Sequence, residues 1–348
     1  MFQYKYKLRH LREDFTDLAA GNKLLKAAAI GFGLYLLIAV VLGVYWSFTP
    51  KNFNVIEASL ALHEDSGQEL AVGSVTTATT ITIVDTLLNK RGGFLRNDIS
   101  PPGIWLDNIP SWEYGVLIQV RDMAKALREV FARSQSQSSE DADLGIAEPR
   151  FNFSANSWML PRTEGMYAEG NEYLLKYMLR LSDPQAQSAQ FYARADNLNY
   201  WLSMASTRLG SLAQRLGTSV GQRRINTDLA GEMGAAQSTP NADELYIKTS
   251  WFEIDDVFYE ARGASWALLK LLEAIEVDFA GVIAKKNASA SLQQIIRELE
   301  NTQEPLSTPM ILNGSGFGVW ANHSLVMAGY ISRANAGIIE LRNLLSQG

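Results

Sequence analysis

Three carboxylates lie close together at the start of a predicted helix, in the segment WFEIDDVFYEARG (residues 251–263). Glu253, Asp256 and Glu260 have the spacing i, i+3, i+7, which places them on one face of a helix. Carboxylates held close together raise one another's pKa, and a general acid requires a raised pKa. These residues, together with His323, are therefore candidates for the acid–base chemistry of an envelope hydrolase acting on a glycan or a peptide.

A structural role explains the same residues. Acidic side chains at the start of a helix are stabilised by its positive end. Arg262, or an arginine of another helix such as Arg194, is in a position to pair with them. His323 is expected in the first turns of the last helix, where a hydrogen-bonded histidine is the structural alternative to a catalytic one. We expect structural ion pairs rather than catalysis at this segment.

The sequence lacks the residue patterns that several other kinds of chemistry require. The chain has no cysteine, which excludes thiolate zinc sites, disulfides and cysteine nucleophiles. Its three histidines are scattered, and His63 is expected in a solvated segment. The segment GASWA (263–267) lacks the final glycine of a serine elbow, and NGSGFG (313–318) lacks the Lys-Ser/Thr of a phosphate loop. We predict neither a metal nor a cofactor.

A run of twenty uncharged residues, Ala27–Trp46, lies near the amino terminus. A helix rises about 1.5 Å per residue, so this run spans about 30 Å, the thickness of a bilayer's hydrocarbon core. A cleaved signal peptide has a shorter lead and a small-residue cleavage site, whereas here the run ends in Val44, Tyr45 and Trp46. The run predicts an uncleaved transmembrane helix.

The charges beside this run predict its orientation. Residues 7–26 carry five Lys and Arg, whereas residues 47–66 carry one, Lys51. Because cations close to a span stay in the cytoplasm, the amino terminus should be cytoplasmic. Beyond the span the chain has 25 Lys and Arg against 34 Asp and Glu, so it lacks the basic surface that nucleic acid requires. We expect no nucleic-acid partner.

Apolar residues recur at helical spacing through the rest of the chain. For example, Leu198, Leu202, Ala205 and Leu209 follow one another in steps of four, three and four, a seam typical of a coiled coil. Helices are predicted at about residues 77–89, 117–131, 167–181, 183–216, 253–285, 291–301 and 320–345. Long helices with narrow apolar seams must pack side by side. We therefore predict an all-α fold, an elongated multi-helix bundle, without a convincing run of strands.

The segments between these helices differ in composition. Residues 89–112 contain Phe94, Trp105 and Trp112, which either form an ordered cap on the bundle or a surface for a partner or sugar. Residues 132–158 are predicted to be a mobile crossing, and residues 217–245 a disordered loop. Polar residues of the segment 194–197 are expected to form a buried network that fixes helix register.

Several long segments resemble one protein family. They are VTTATTITIVDTLLNKRGGFLRNDISPPGIWLDNIPSWEYG (75–115), QFYARADNL (190–198), EIDDVFYEARG (253–263) and ILNGSGFGVWANHSLVMAGYISRANAGI (311–338). Together they resemble a proteobacterial family of membrane-anchored proteins catalogued as domain of unknown function 2333, along essentially the whole chain. The resemblance implies a Gram-negative envelope setting and no assigned activity.

These observations predict four regions: a cytoplasmic basic tail (1–26), a transmembrane helix (27–47), a tether (48–74) and a periplasmic helical bundle (75–348). The first hypothesis is an inner-membrane-anchored scaffold or adaptor in an envelope complex, without catalysis. Its partners would be the lipid bilayer and other envelope proteins or a second copy of itself. The alternatives are the envelope hydrolase described above and a periplasmic bundle that senses a ligand.

Overall fold

The computed structural model describes residues 23–63, 70–134, 139–183, 188–225, 244–308 and 310–347. Almost all of their regular secondary structure is helical, which confirms the all-α prediction. The helices are α1 Lys23–Trp46, α2 Val55–His63, α3 Ser74–Asn89, α4 Asn108–Ala126, α5 Ala142–Phe151, α6 Thr163–Ser182, α7 Ala195–Gly217, α8 Ile254–Asp278, α9 Ala280–Lys285, α10 Ser289–Asn301 and α11 His323–Ser346.

The first helix, α1, is long and apolar enough to cross a membrane. Its segment Leu25–Trp46 has a mean hydropathy of 2.5, and only 11% of the most apolar window is buried. Its exposed apolar side chains distinguish it from a core helix of the bundle. The buried positions Ala39 and Gly43 are one turn apart, on the face that meets the rest of the protein.

Helices α4 and α8 form the centre of the bundle and run in the same direction. Near their starts, the Ser111 hydroxyl donates to the Asp256 carboxylate at 2.9 Å. Near their ends, the rings of Phe131 and Phe279 are 5.4 Å apart. The close approach requires glycine, because a Cβ on Gly263 would lie 2.1 Å from the carbonyl oxygen of Trp112.

The last residue of α8 holds the start of α3. The Asp278 carboxylate accepts hydrogen bonds from the backbone N–H groups of Gly73 and Thr76, at 2.9 and 2.7 Å, and from the Thr76 hydroxyl at 2.6 Å. These N–H groups have no partner within α3, so a carboxylate from another helix acts as its cap. Asp278 therefore makes the start of α3 dependent on α8.

A second pair of helices, α7 and α11, packs beside this centre. Their buried seams include Leu202 and Leu209 on α7 and Ile331 and Ile338 on α11. The seam on α11 follows the predicted spacing, and α11 begins at His323, close to the predicted start at residue 320.

The helix predicted from about residue 117 begins earlier, at Asn108, and two longer predicted helices also have wrong boundaries. The helix expected from residue 183 begins at Ala195, and residues 188–194 have non-helical backbone. In that segment the N–H of Tyr192 donates to the carbonyl of Phe131 at 2.7 Å. The helix expected over residues 253–285 breaks between α8 and α9 at Phe279, whose buried ring packs against Phe191 at 5.7 Å. At Phe191, whose ring is also 5.2 Å from that of Phe131, and at Phe279, aromatic packing between distant segments competes with helix continuation.

Structure also forms where little was predicted. Residues 55–63, assigned to the tether, form α2, which packs against α3 and α8. The predicted mobile crossing contains α5. Strands β1 (Gln222–Ile225) and β2 (Glu244–Ile247) pair antiparallel at the two ends of the loop predicted to be disordered, although no strand was expected. The middle of that loop, residues 226–243, and the predicted cytoplasmic tail up to residue 22 lie outside the described residues.

Candidate functional site

The carboxylates of the segment 251–263 have different surroundings. Glu260 forms a two-pronged ion pair with Arg215 of α7, with N–O distances of 2.7 and 2.5 Å. Asp256 accepts the hydrogen bond from Ser111, and Glu253 is exposed in a short 3-10 turn before α8. The ion pair expected for this segment therefore exists, but its cation is Arg215.

Burial is the main influence on Asp256. Desolvation raises the pKa of its carboxyl group, the Ser111 hydrogen bond opposes this, and the nearby charges of Asp107, Asp255 and Glu253 raise it further. Of the crowding predicted among Glu253, Asp256 and Glu260, only the charge of Glu253 contributes to this shift, and less than burial does.

His323 belongs to α11 and lies beside a different side of α8 from the one that carries Glu260. Its Nδ1 accepts a hydrogen bond from the backbone N–H of Leu312 at 3.2 Å, and its ring is 6.4 Å from that of Phe258. Glu260 lines a cleft between α4, α7 and α8, whereas His323 lines a groove between α8 and α11. The structure therefore does not bring His323 and Glu260 together in one cavity.

The groove that contains His323 is the candidate functional site, and we call it the α8–α11 groove. Its volume is about 250 Å³. Apolar and aromatic side chains form most of its wall, and a few polar groups converge on it. The lining residues used below are Phe258, Arg262, Glu304, His323, Val326 and Tyr330.

Arg262 is the chemically distinctive residue of the α8–α11 groove. Its side chain is nine-tenths buried, and its Nη2 donates to the backbone carbonyl of Gln303 at 2.9 Å. Within the described part of the chain it forms no ion pair, and the groups that raise the pKa of its guanidinium are Tyr259 and, to a smaller extent, Glu304. Desolvation lowers the pKa of this guanidinium, although an arginine stays charged at neutral pH.

A buried cation without a carboxylate partner is costly to the folded protein. An anionic group bound in the groove would supply that partner, and its apolar neighbours would exclude water. The geometry thus fits a ligand that carries a carboxylate or another anion next to apolar groups. A planar guanidinium binds such groups in a two-pronged arrangement.

Of the three aromatic residues considered for partner binding, the structure leaves only Trp105 at the surface. Phe94 and Trp112 are buried in the bundle, and the Trp112 ring lies 5.2 Å from that of Trp266. The loop that carries Phe94 is held by the buried Glu113, which accepts hydrogen bonds from the N–H groups of Leu95 and Arg96 at 2.8 Å. Phe94 and Trp112 therefore form part of an ordered end of the bundle.

Glu113 also pairs with Lys90, and both side chains are buried. Desolvation raises the pKa of Glu113, opposed by Lys90 and by the two N–H groups. The clamp of Lys90 and Glu113 connects the end of α3 to the start of α4, through the loop between them.

At the opposite end, a buried polar cluster includes His63, which the sequence placed in a solvated segment. His63 Nδ1 donates to the carbonyl of Ser59 at 2.7 Å, and Nε2 contacts the Ser182 hydroxyl at 3.0 Å. Ser182 in turn contacts the Ser74 hydroxyl at 3.0 Å. The cluster connects α2, α3 and α6, and its residues are buried, so its observed role is to join helix ends.

The polar segment 194–197 is only partly buried. Arg194 and Asp196 form an ion pair at the surface, whereas the buried Asn197 donates to the carbonyl of Tyr192 at 3.0 Å. Only Asn197 therefore has the buried position expected of that network.

Sequence reasoning named Arg262 only as an ion-pair partner and missed its groove. The available signal was a charged residue four positions after Phe258 and directly before seven uncharged residues, 263–269. The rest of the groove comes from residues 301–307 and from α11, which are distant in sequence.

The fold and the groove define an all-α protein that has, within its described residues, one helix able to cross a membrane and a buried unpaired arginine in a surface groove. The chain belongs to the bacterial family described as an uncharacterized protein conserved in bacteria, domain of unknown function 2333 (DUF2333), whose model matches residues 20–348. This confirms the family suggested by the sequence segments. No curated protein and no solved structure matches the chain.

Proposed function

We propose that this protein is a membrane-anchored helical adaptor of the bacterial cell envelope. In this proposal α1 spans the inner membrane, the amino terminus is cytoplasmic, and the bundle lies in the periplasm. The apolar length of α1 and the excess of Lys and Arg before it support this topology. The bundle binds a partner protein and does not catalyse a reaction.

The single observation that carries the proposal is the unpaired, buried Arg262 in the α8–α11 groove. Interfaces between proteins are enriched in arginine and aromatic residues, and a few such residues supply most of the binding energy. Arg262, Phe258 and Tyr330 form such a set around the groove. Its volume of about 250 Å³ suits one or two side chains better than a drug-sized ligand.

The partner we propose is a protein segment that places a carboxylate on Arg262 and apolar side chains on the surrounding wall. Binding is favoured over hydrolysis because Glu260 is already paired with Arg215 and lies on another flank of α8 from His323. A catalytic carboxylate would need to be free to accept or release a proton at the substrate.

Site-specific photo-crosslinking in the native host tests the proposal. A benzophenone amino acid replaces Val326, which is exposed at the rim of the groove. The matched control carries the same amino acid at Ile339, exposed on a different face of the same helix. We expect an adduct of defined mass at position 326 and none at 339. Arg262→Gln should remove the adduct, whereas Arg150→Gln, which affects an ion pair elsewhere, should not.

Two results of these experiments would contradict the adaptor proposal, and a third, from ligand binding, would replace it. One is an adduct that persists at full yield in Arg262→Gln, provided that the variant melts like the wild type. The other is cytoplasmic activity of a reporter fused after Gly348. If small carboxylates, rather than a protein, raise the melting temperature of the wild type but not of Arg262→Gln, the groove senses a ligand and the adaptor proposal is wrong.

A further inference from the structure

The loop between α3 and α4 contains an uncharged run, Ile99–Leu106, bounded by Asp98 and Asp107. Its side chains Ile99, Ile104 and Trp105 are between 50 and 56% exposed. Three large exposed apolar groups in so short a loop are unusual on a surface that faces water.

A second loop presents the same character. Trp158, Met159 and Leu160, between α5 and α6, are between 48 and 88% exposed. Asn97 ties this loop to the first one, because its side-chain amide donates to the carbonyl of Ser157 at 2.9 Å. We call residues 99–106 and 158–160 together the apolar loops.

The first of the apolar loops lies against α1. A Cβ on Gly43 would lie 3.6 Å from Pro102, and the Tyr35 hydroxyl donates to the carbonyl of Pro101 at 3.4 Å. Tyr35 precedes Trp46, the last residue of α1, by about 16 Å along the helix axis. The loop therefore lies beside the carboxyl-terminal half of the apolar helix.

We infer that the apolar loops insert into the membrane leaflet that surrounds the carboxyl-terminal half of α1. This inference rests on the proposed span: if residues 27–46 fill the hydrocarbon core, a loop beside residues 35–43 is at the level of that leaflet. The bundle then has a second contact with lipid in addition to its anchor. Two contacts with the membrane restrict the tilt of the bundle, whereas the anchor alone would not.

The backbone of the first loop is suited to an apolar environment. Pro101 and Pro102 have no N–H group, and the N–H groups of Ile104, Trp105 and Leu106 bond to carbonyls within the loop at 3.0 to 3.2 Å. Unpaired backbone groups are the main cost of placing a loop in lipid, and the two prolines together with these three hydrogen bonds reduce that cost.

Residues next to the loops match the polar boundary of a membrane. The guanidinium of Arg91 lies 4.8 Å from the centre of the Tyr45 ring and 5.6 Å from that of Phe48. Tyrosine and tryptophan are enriched at the level of lipid headgroups, and arginine there meets phosphate groups. Arg162, which follows the second loop, is 68% exposed in its side chain.

Site-directed spin labelling of the full chain tests the inference. The chain has no cysteine, so single-cysteine variants need no background substitutions. Ile104→Cys and Leu160→Cys report on the apolar loops. Val41→Cys on α1 is the membrane control, Ile339→Cys on α11 is the solvent control, and Val319→Cys tests another exposed apolar site. Each labelled protein is reconstituted into vesicles of phosphatidylethanolamine and phosphatidylglycerol.

The measured quantity is the ratio of spin-label collisions with oxygen, which concentrates in lipid, to collisions with a water-soluble nickel complex. We expect labels at 104, 160 and 41 to give a high ratio and the label at 339 to give a low one. Low ratios at 104 and 160 with a high ratio at 41 would overturn the inference and leave the proposed anchor intact. A low ratio at 41 would instead refute the anchor itself. A high ratio at 319 with low ratios at 104 and 160 would show that different loops meet the membrane.

Discussion

Gly115 of α4 lies so close to α8 that a Cβ at this position would be 2.0 Å from the carbonyl oxygen of Glu260. Non-bonded carbon and oxygen atoms do not approach so closely, and a backbone carbonyl cannot move aside as a flexible side chain does. The two central helices can therefore cross at this distance only while position 115 is glycine. The aromatic core around this crossing depends on the same separation.

The first prediction concerns this crossing. Gly115→Ala should lower the free energy of unfolding by about 1–3 kcal/mol or more, because α4 and α8 must separate to admit the methyl group. The matched control is Gly165→Ala on α6, where nothing lies within 4 Å of the added Cβ. It should be neutral or stabilising by up to about 1 kcal/mol, since alanine favours helix. Urea denaturation of the detergent-solubilised chain, followed by circular dichroism, measures both; equal losses would contradict the packing argument.

The second prediction concerns the clamp of Lys90 and Glu113. Lys90→Met removes one partner of a buried ion pair and leaves a carboxylate without its cation. We expect a loss of about 3–5 kcal/mol in the free energy of unfolding. Lys285→Met, at an exposed position, should change it by less than about 0.5 kcal/mol. A small effect of Lys90→Met would mean that the two backbone N–H groups suffice to hold Glu113.

The pH dependence of Glu113 gives a third prediction. Because burial raises its pKa, the native carboxyl group holds its proton at a higher pH than it does in the unfolded chain. Stability from this group is therefore present at acidic pH and is lost as pH rises through the native pKa. The wild type should therefore gain free energy of unfolding relative to Glu113→Gln as pH falls from neutral toward 4.5, the ordinary pKa of a glutamate carboxyl group. Denaturation curves at several pH values test this, and a decrease on acidification would show that the charged pair with Lys90 dominates.

The fourth prediction separates a structural role of Glu260 from a catalytic one. A double-mutant cycle of Arg215→Met and Glu260→Gln should give a coupling energy of about 1 kcal/mol or less, because Arg215 is partly exposed and water screens the pair. Glu260→Gln should preserve function in the native host to the extent that it preserves stability. If it abolishes function while the melting temperature is unchanged, the hydrolase hypothesis regains support.

The sequence alone determined the features that depend only on residues close together in the chain. The apolar length of α1 and the helical spacing on α11 need only local side-chain order, and both were predicted correctly. The segment Thr76–Val84 is rich in β-branched residues, yet its continuation into helix-forming residues predicted α3, and the structure confirms it.

The tertiary structure decided which residues meet. Glu260 pairs with Arg215, Asp278 caps a helix some 200 positions earlier in the chain, and His63 is buried beside Ser182. None of these contacts follows from spacing, because each depends on the crossing of helices that are distant in sequence. The absence of an ion pair at Arg262 among the described residues has the same origin, because the packing of the neighbouring helices determines which side chains lie beside it.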